Sequence, residues 1–297
     1  MITYLLALLP VLFFFADPLS QLFSSSCERP VPPLRRLPRP RLNTDLVALE
    51  ADNYTCDPHA YQVHVYSRAP LVLYVENFLS VEERKHLLEI SEPLYTPSTI
   101  THNGGDSTSH TPSIRNSEVA LIPRTTLVRC IEDRARALQG WQREVWIERL
   151  RVQRYRAGGH YAHHFDWSSG RGGWGRVGSF MVWVEDQEEG GDGERLEGGG
   201  TEFPRLRGAR EGRWCEFVEC PGQGEGEGEG GDGGEGGGDG EGKKGVVFKV
   251  MPGNAVYWEN FMADGTGRGY DETWHAGLPV TKGVKVGLNI WSTGRIE

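Results

Sequence analysis

The sequence predicts an α+β fold in which helices come early and strands come late. Two observations carry this. Apolar spacing changes from a helical repeat to a period of two near Trp141. After that point glycines punctuate short apolar runs, the pattern of strands joined by tight turns. Strands and helices do not alternate, so a parallel, doubly wound sheet is not indicated. Strands of this kind close as a sandwich, barrel or jelly roll.

The elements follow in order. Val63, Val65 and Tyr66 read as one strand, and residues 71–75 as a second. Ser80 followed by Glu83 has the form of a capping box, which predicts a helix from there to about Ser91. A second helix is expected over 126–139, with Leu127, Val128, Ile131 and Ala135 on its core face. Strands are then expected at 145–155, 179–184, 246–250, 255–258 and 284–291. The folded domain is expected to span 61–297, and no internal repeat is evident.

The chain has 297 residues and a formal net charge of −9. The acidity is local: 18 of the 41 acidic residues, but only seven of the 32 basic ones, fall between residues 185 and 244. Of the 40 glycines, 22 lie between residues 190 and 245. The rest is an ordinary near-neutral domain, and nothing in it has the basic excess of a nucleic-acid binder. Within the acidic stretch, 222–242 is almost pure Gly, Glu and Asp. It has no apolar area to bury and reads as a solvated, disordered insert between strands, dispensable for metal binding. It lacks the ligand spacing of a defined calcium loop.

Residues 2–16 are largely apolar, interrupted by Pro10. That length suits a secretory signal better than a full span of roughly 20 residues. Residues 1–23 are therefore expected to be a cleaved signal peptide or a retained signal-anchor, either of which places the chain in the endoplasmic reticulum lumen or membrane. Residues 24–60, dense in proline and arginine toward their start, read as a linker. The five cysteines are an odd number, and none is arranged as CxxC. Cys215 and Cys220 are close enough to bridge in an oxidising compartment, or to remain two thiols. Asn53-Tyr54-Thr55 is a glycosylation sequon, relevant only in that compartment.

Candidate chemistry centres on His164 and Asp166. Two residues apart on a strand, they would share a face and offer an imidazole and a carboxylate to one metal. His275 is the candidate third ligand, and two histidines with one carboxylate form the facial set of non-haem Fe(II) oxygenases. His160 and His163 have no acid two residues on and are expected at the edge or surface. After His275, Val284, Val286, Leu288 and Ile290 alternate with Lys285, Gly287, Asn289 and Trp291. One face is core, and the other suits a polar pocket in which a buried lysine meets an anion.

These residues bring out a resemblance. Tyr155, Gly158, Tyr161, His164 and Asp166 have the Tyr-x-x-Gly-x-x-Tyr-x-x-His-x-Asp spacing of the prolyl 4-hydroxylase group of 2-oxoglutarate- and Fe(II)-dependent dioxygenases. Gly199-Gly200-Thr201-Glu202-Phe203-Pro204 and His275-Ala276-Gly277, followed by Gly283 and Lys285, are similar to its later segments. The resemblance runs from about Leu71 to Ser292. It implies a double-stranded β-helix (jelly-roll) core with supporting N-terminal helices. It implies His164, Asp166 and His275 as Fe(II) ligands. Lys285 and Tyr155 would hold the far carboxylate of 2-oxoglutarate, with Thr201 and Trp291 close to that cosubstrate. Arg115 and Ser117 match a mobile loop beside a peptide substrate. The implied activity hydroxylates a peptidyl proline or related residue, with O2 consumed and 2-oxoglutarate decarboxylated to succinate. Ascorbate is the expected reductant. Trp258-Glu259-Asn260 and Trp274 resemble the fungal or lower-eukaryote branch. The peptide-binding repeat domain of the collagen-type enzymes is not evident, so the substrate stays open.

Two other readings compete. A zinc hydrolase built on the same triad would need a general base and would leave Lys285 without a role. A non-catalytic cupin-like module would be marked by a broken triad, and here all three residues are present.

Overall fold

A computed structural model of the chain describes residues 43, 45–49, 53–102, 107–109, 111–140, 142–169, 173–187, 195–208, 211–220 and 245–296. All of these fall in one unit, Leu34–Glu297. The expected signal or anchor at 1–23, most of the linker at 24–60 and the acidic insert at 222–242 lie outside the described residues. Among the described residues, no helix is long and apolar enough to cross a membrane.

The first part of the chain forms β1 (Gln62–Arg68), β2 (Leu71–Glu76), α1 (Val81–Ser91), β3 (Thr96–Pro97), β4 (Ile100–His102), β5 (Ser107–Ser109), β6 (Arg115–Asn116), β7 (Glu118–Leu121) and α2 (Thr126–Leu138). Strands then dominate: β8 (Val145–Ile147), β9 (Arg151–Tyr155), β10 (His160–His164), β11 (Trp174–Gln187), β12 (Glu197–Gly198) and β13 (Thr201–Phe203). The last are β14 (Val246–Phe248), β15 (Ala255–Glu259), β16 (His275–Gly277), β17 (Val280–Lys282) and β18 (Val284–Arg295).

The larger sheet runs β1-β2-β15-β11-β18-β9-β7-β3, with β8 also paired to β18. The smaller runs β14-β13-β16-β10-β6. Pairing in both is antiparallel. Side-chain alternation gives the larger sheet two apolar faces. On one, Val75, Phe180, Val182, Val286, Leu288 and Ile290 pack with Leu87 of α1 and with Val128, Ile131 and Ala135 of α2. On the other, Tyr74, Met181, Val256 and Trp258 pack with Phe203 and Phe248 of the smaller sheet. The helices thus back one face of the large sheet, and the small sheet covers the other. The site develops in this second layer.

Both helix starts are as the sequence implies. The Ser80 hydroxyl caps Glu83 N–H at 3.1 Å, and the Glu83 carboxylate accepts from Ser80 N–H at 2.9 Å. Glu83 also accepts two bonds, each 2.8 Å, from the Arg134 guanidinium, which ties α1 to α2 in a buried setting. Thr125 caps α2 through Val128 N–H at 3.3 Å.

Three expectations need correction. Leu127, placed on the core face of α2, is 36% exposed, while Val128, Ile131 and Ala135 are fully buried. Residues 145–155 are not one strand. The chain breaks between β8 and β9, where Arg149 N–H bonds Leu46 and Val47 bridges Glu148. The strand expected over 246–250 stops at Phe248, since Lys249 N–H bonds Phe217 instead of a ladder partner.

Cys215 and Cys220 are disulfide-bonded, and a second bridge joins Cys56 to Cys130 of α2. Cys27 lies outside the described residues.

Removing one partner of the Glu83–Arg134 pair leaves a buried charge unmatched. Glu83→Ala is expected to lower unfolding free energy by about 3–5 kcal/mol in chemical denaturation. A loss under about 1 kcal/mol would show that the pair does not clamp the helices.

Candidate metal centre

His164 ends β10, and His275 begins the neighbouring strand β16. The two strands pair Tyr161 with Gly277 and His164 with His275, so β10 spends three residues where β16 spends two. This one-residue bulge overrides the usual alternation, under which residues three apart face opposite ways. The Tyr161 and His164 rings consequently stack, with centroids 3.7 Å apart. The His164 and His275 rings lie 4.3 Å apart.

Asp166 is brought in differently from the strand-based expectation. The strand has ended, and Asp166 opens a 3₁₀ turn, Asp166–Ser169. The following indole anchors that turn, as Trp167 Nε1 donates to the Thr273 hydroxyl at 3.1 Å. His164 Nε2 lies 3.7 Å from Asp166 Oδ1, and His275 Nε2 lies 4.0 Å from Asp166 Oδ2. All three candidate ligand atoms fall within 4.8 Å of one another.

The tautomers are fixed by backbone carbonyls, which only accept. His164 Nδ1 faces Ala162 O at 2.9 Å, and His275 Nδ1 faces Thr273 O at 2.8 Å. Both Nδ1 atoms therefore carry hydrogen, and both Nε2 lone pairs point toward Asp166. Burial, and then His275, push His164 down to about 3. Burial likewise lowers His275. Burial alone would raise Asp166, but His275, His164, Arg176 and the Ser179 hydroxyl hold it below the usual carboxylate range. Two neutral imidazoles and one carboxylate form a donor set suited to a divalent first-row metal.

The carboxylate is held by groups the sequence did not single out. Arg176 Nη1 stands 3.9 Å from Asp166 Oδ1 and is itself bound by Glu148 at 2.7 and 3.0 Å. Glu148 stays ionised because Arg176 and the Thr293 hydroxyl outweigh its burial. Trp291 Nε1 donates to Asp166 Oδ2 at 3.0 Å, with Arg176 stacked 3.8 Å over the indole. Trp291 was expected near the cosubstrate; it lines the cleft, and its polar edge also grips the acidic ligand. A lone arginine and glutamate 28 residues apart offer no sequence signal for this network.

The triad lines a cleft between the two sheets. Lys285, Tyr155, Thr201, Asn289 and Trp291 line it with the triad. Lys285 is 3% exposed, so it does not snorkel to the surface. Its register partner on β9 is Tyr155, whose ring centre is 5.4 Å from the ammonium. The ammonium donates to Gly199 O, and among the described residues no carboxylate pairs with it. Burial lowers Lys285 to about 7. Gly199 has φ +73°, and a Cβ there would press on Lys285 Cδ and Val280 Cγ2 at 3.2 Å, so glycine is what lets the chain approach. Thr201 Oγ1 is buried without a hydrogen-bond partner. An ammonium without a counter-charge and an unpartnered hydroxyl fit a ligand that brings a carboxylate.

Arg115 and Ser117 were expected on a mobile loop near the substrate. Arg115 instead lies in β6, paired to β10, and both residues are buried. Arg115 donates to Ser117 Oγ at 3.1 Å, and its guanidinium sits 4.6 Å over the Tyr161 ring. Neither lines the cleft, but one nitrogen of Arg115, Nη2, is buried without a partner. His160 and His163 lie outside the triad, and His163 is exposed and bonded to Glu202 at 2.8 Å.

The family comparison agrees with this geometry. The 2OG-Fe(II) oxygenase superfamily model matches residues 150–293. The match covers just under half of the chain. The matched stretch contains the triad, Lys285, Tyr155, Thr201 and Trp291. Two similar proteins are from Arabidopsis thaliana. One, a probable prolyl 4-hydroxylase 10, is 29% identical over 54% of this chain and 55% of its own length. The chain thus spans about half of that relative. A probable prolyl 4-hydroxylase 9 is 24% identical, over 92% of this chain and 86% of its own. Among solved structures, a viral collagen prolyl hydroxylase from Paramecium Bursaria Chlorella virus-1, in complex with 2OG, aligns with 22% identity and a TM-score of 0.47. That alignment covers 75% of this chain and 96% of the viral one.

Trp291→Phe removes the indole N–H from Asp166 and keeps an aromatic side chain. Divalent metal affinity is expected to fall by roughly 10- to 100-fold in anaerobic titration, with folding intact. Unchanged affinity would show that Asp166 needs no such support.

Proposed function

We propose that the chain is a 2-oxoglutarate- and Fe(II)-dependent dioxygenase that hydroxylates peptidyl proline or a closely related residue. One observation carries the reading: a two-histidine, one-carboxylate cluster shares a cleft with a buried lysine that has no counter-charge. A zinc hydrolase would give that lysine no task. The similarity to prolyl 4-hydroxylases supports the substrate class. The two facing antiparallel sheets are read as a double-stranded β-helix.

In this reading His164, Asp166 and His275 hold Fe(II) through Nε2, a carboxylate oxygen and Nε2. Lys285 and Tyr155 receive the far carboxylate of 2-oxoglutarate, and the Thr201 hydroxyl gains the partner it lacks. When bound, iron and 2-oxoglutarate supply O2 activation coupled to decarboxylation to succinate. The chain's own residues orient and dry the site. Trp291 and Arg176 fix the Asp166 carboxylate, the carbonyls of Ala162 and Thr273 fix the imidazoles, and Met181 and Trp258 form apolar wall. Arg115, with its spare donor, and Ser117 serve the peptide side through Tyr161. Ascorbate as reductant, residence in the endoplasmic reticulum, an N-terminal signal or anchor and affinity with the fungal branch belong to the same proposal.

Succinate release from 2-oxoglutarate with Fe(II) and proline-rich peptides tests the activity. Turnover is expected in the wild type and is lost in His164→Ala. Equal turnover in that variant would remove the triad from the chemistry.

The lysine adds a pH test. A Lys285 value of about 7 leaves the ammonium protonated below that pH and neutral above it. An incoming carboxylate favours the charged form, so binding above pH 7 must take up a proton. Calorimetry in buffers of different ionisation enthalpy should show uptake approaching one proton at about pH 8.5 and little at about pH 6. Affinity should weaken as pH rises through this window. Lys285→Met should cost roughly 10- to 150-fold in affinity and abolish the uptake. Uptake that persists in this variant would assign the proton elsewhere.

A further inference from the structure

Asn53-Tyr54-Thr55 is the single Asn-x-Ser/Thr sequence in the chain, and the metal site gives it no task. Asn53 and Thr55 are exposed, and Asn53 takes φ +74°. Tyr54 between them turns inward. Its hydroxyl donates to Asp133 of α2, and the Arg129 guanidinium lies 5.6 Å from its ring centre. The next residue, Cys56, bridges to Cys130 on the same helix. The acceptor amide thus faces solvent, while the residues just after it are pinned to α2.

The two disulfides, Cys56–Cys130 and Cys215–Cys220, are bonds of the kind that form and persist in an oxidising compartment. That is also where sequons of this kind are glycosylated. We propose that Asn53 carries an N-linked glycan, attached before the Cys56–Cys130 bridge pins the sequon to α2. In the transfer, the Asn53 amide nitrogen bonds to the anomeric carbon of a polyprenyl-diphosphate-linked oligosaccharide. The carbon–oxygen bond to the diphosphate breaks, the diphosphate leaves with the electron pair, and one amide proton goes to a base. No redox change occurs at Asn53. The ordering follows from geometry. A transferase must engage the Asn53 amide and the Thr55 hydroxyl together, and Tyr54 can turn away only while its ties to Asp133, Arg129 and the bridge are unmade. Asn53 is exposed among the described residues, so the fold does not bury the acceptor. This inference does not depend on the metal-site reading.

The test uses the full chain expressed in eukaryotic secretory cells, with Asn53 occupancy read by mass on the denatured, proteolysed protein before and after amidase deglycosylation. Reading denatured chain keeps the measurement valid where a variant folds poorly. The wild type is expected to show partial occupancy, with Asn53 converted to aspartate on deglycosylation. Asn53→Gln loses the signal. The double variant Cys56→Ser, Cys130→Ser is expected to raise occupancy toward completion, and Tyr54→Phe, which frees the residue from Asp133 without touching the bridge, to raise it partway. An unmodified wild-type Asn53 overturns the glycan. Complete wild-type occupancy, or no rise in the double variant, overturns the proposed order.

Discussion

Strands β10 and β16 pair through only two registered contacts, and a single extra residue separates them on the β10 side. That residue turns His164 onto the same face as Tyr161 and sets it opposite His275. Without it, alternation would send one imidazole away from the other, and no third residue could complete the set. The Asp166 turn, the carbonyl-fixed tautomers and the Tyr161–Arg115 stack all take their positions from this register. A bulge conserves hydrogen bonding on either side while re-aiming one side chain, which is why such irregularities suit functional sites.

Around that register the charges divide into two kinds. Asp166, Arg176 and Glu148 form a chain in which each buried carboxylate meets the half-buried guanidinium, with Trp291 and Thr293 adding hydrogen bonds. Such a network fixes geometry and leaves little for a ligand to neutralise. Lys285 is the opposite case. It is buried beside an aromatic ring and a carbonyl, and its proton is loosened to about 7. A buried cation left so is poor for stability and good for recognition, because an anion recovers what burial cost. One side of the cleft is therefore preorganised for a metal and the other for a carboxylate.

Much of this was legible in the sequence, for identifiable reasons. The capping box at Ser80 and Glu83 is a local code, and it formed as read. The alternation from Val284 to Trp291 told core face from cleft face correctly, since a long central strand obeys a period of two. The histidine and aspartate spacing picked residues that the fold brings together, but by an incomplete route, because Asp166 sits on a 3₁₀ turn rather than on the strand. Leu127 was misread because the buried stripe of its helix runs through Val128, Ile131, Glu132 and Ala135, which leaves Leu127 at the stripe's outer edge. The Arg176–Glu148 support and the burial of Arg115 were not legible, because each depends on contacts between distant segments that no local pattern encodes. The Cys56–Cys130 bridge, 74 residues apart, was hidden for the same reason.

The central claim is that one metal and one carboxylate ligand share this cleft, with the metal site formed by His164, Asp166 and His275. Thermal unfolding measured with a redox-inert divalent ion, with and without 2-oxoglutarate, addresses it directly, since a ligand that binds only the folded state raises the melting temperature. The wild type should be stabilised by the ion, and further by 2-oxoglutarate when the ion is present. Asp166→Ala should lose both increments. Equal stabilisation of wild type and Asp166→Ala by the ion and 2-oxoglutarate would contradict the account.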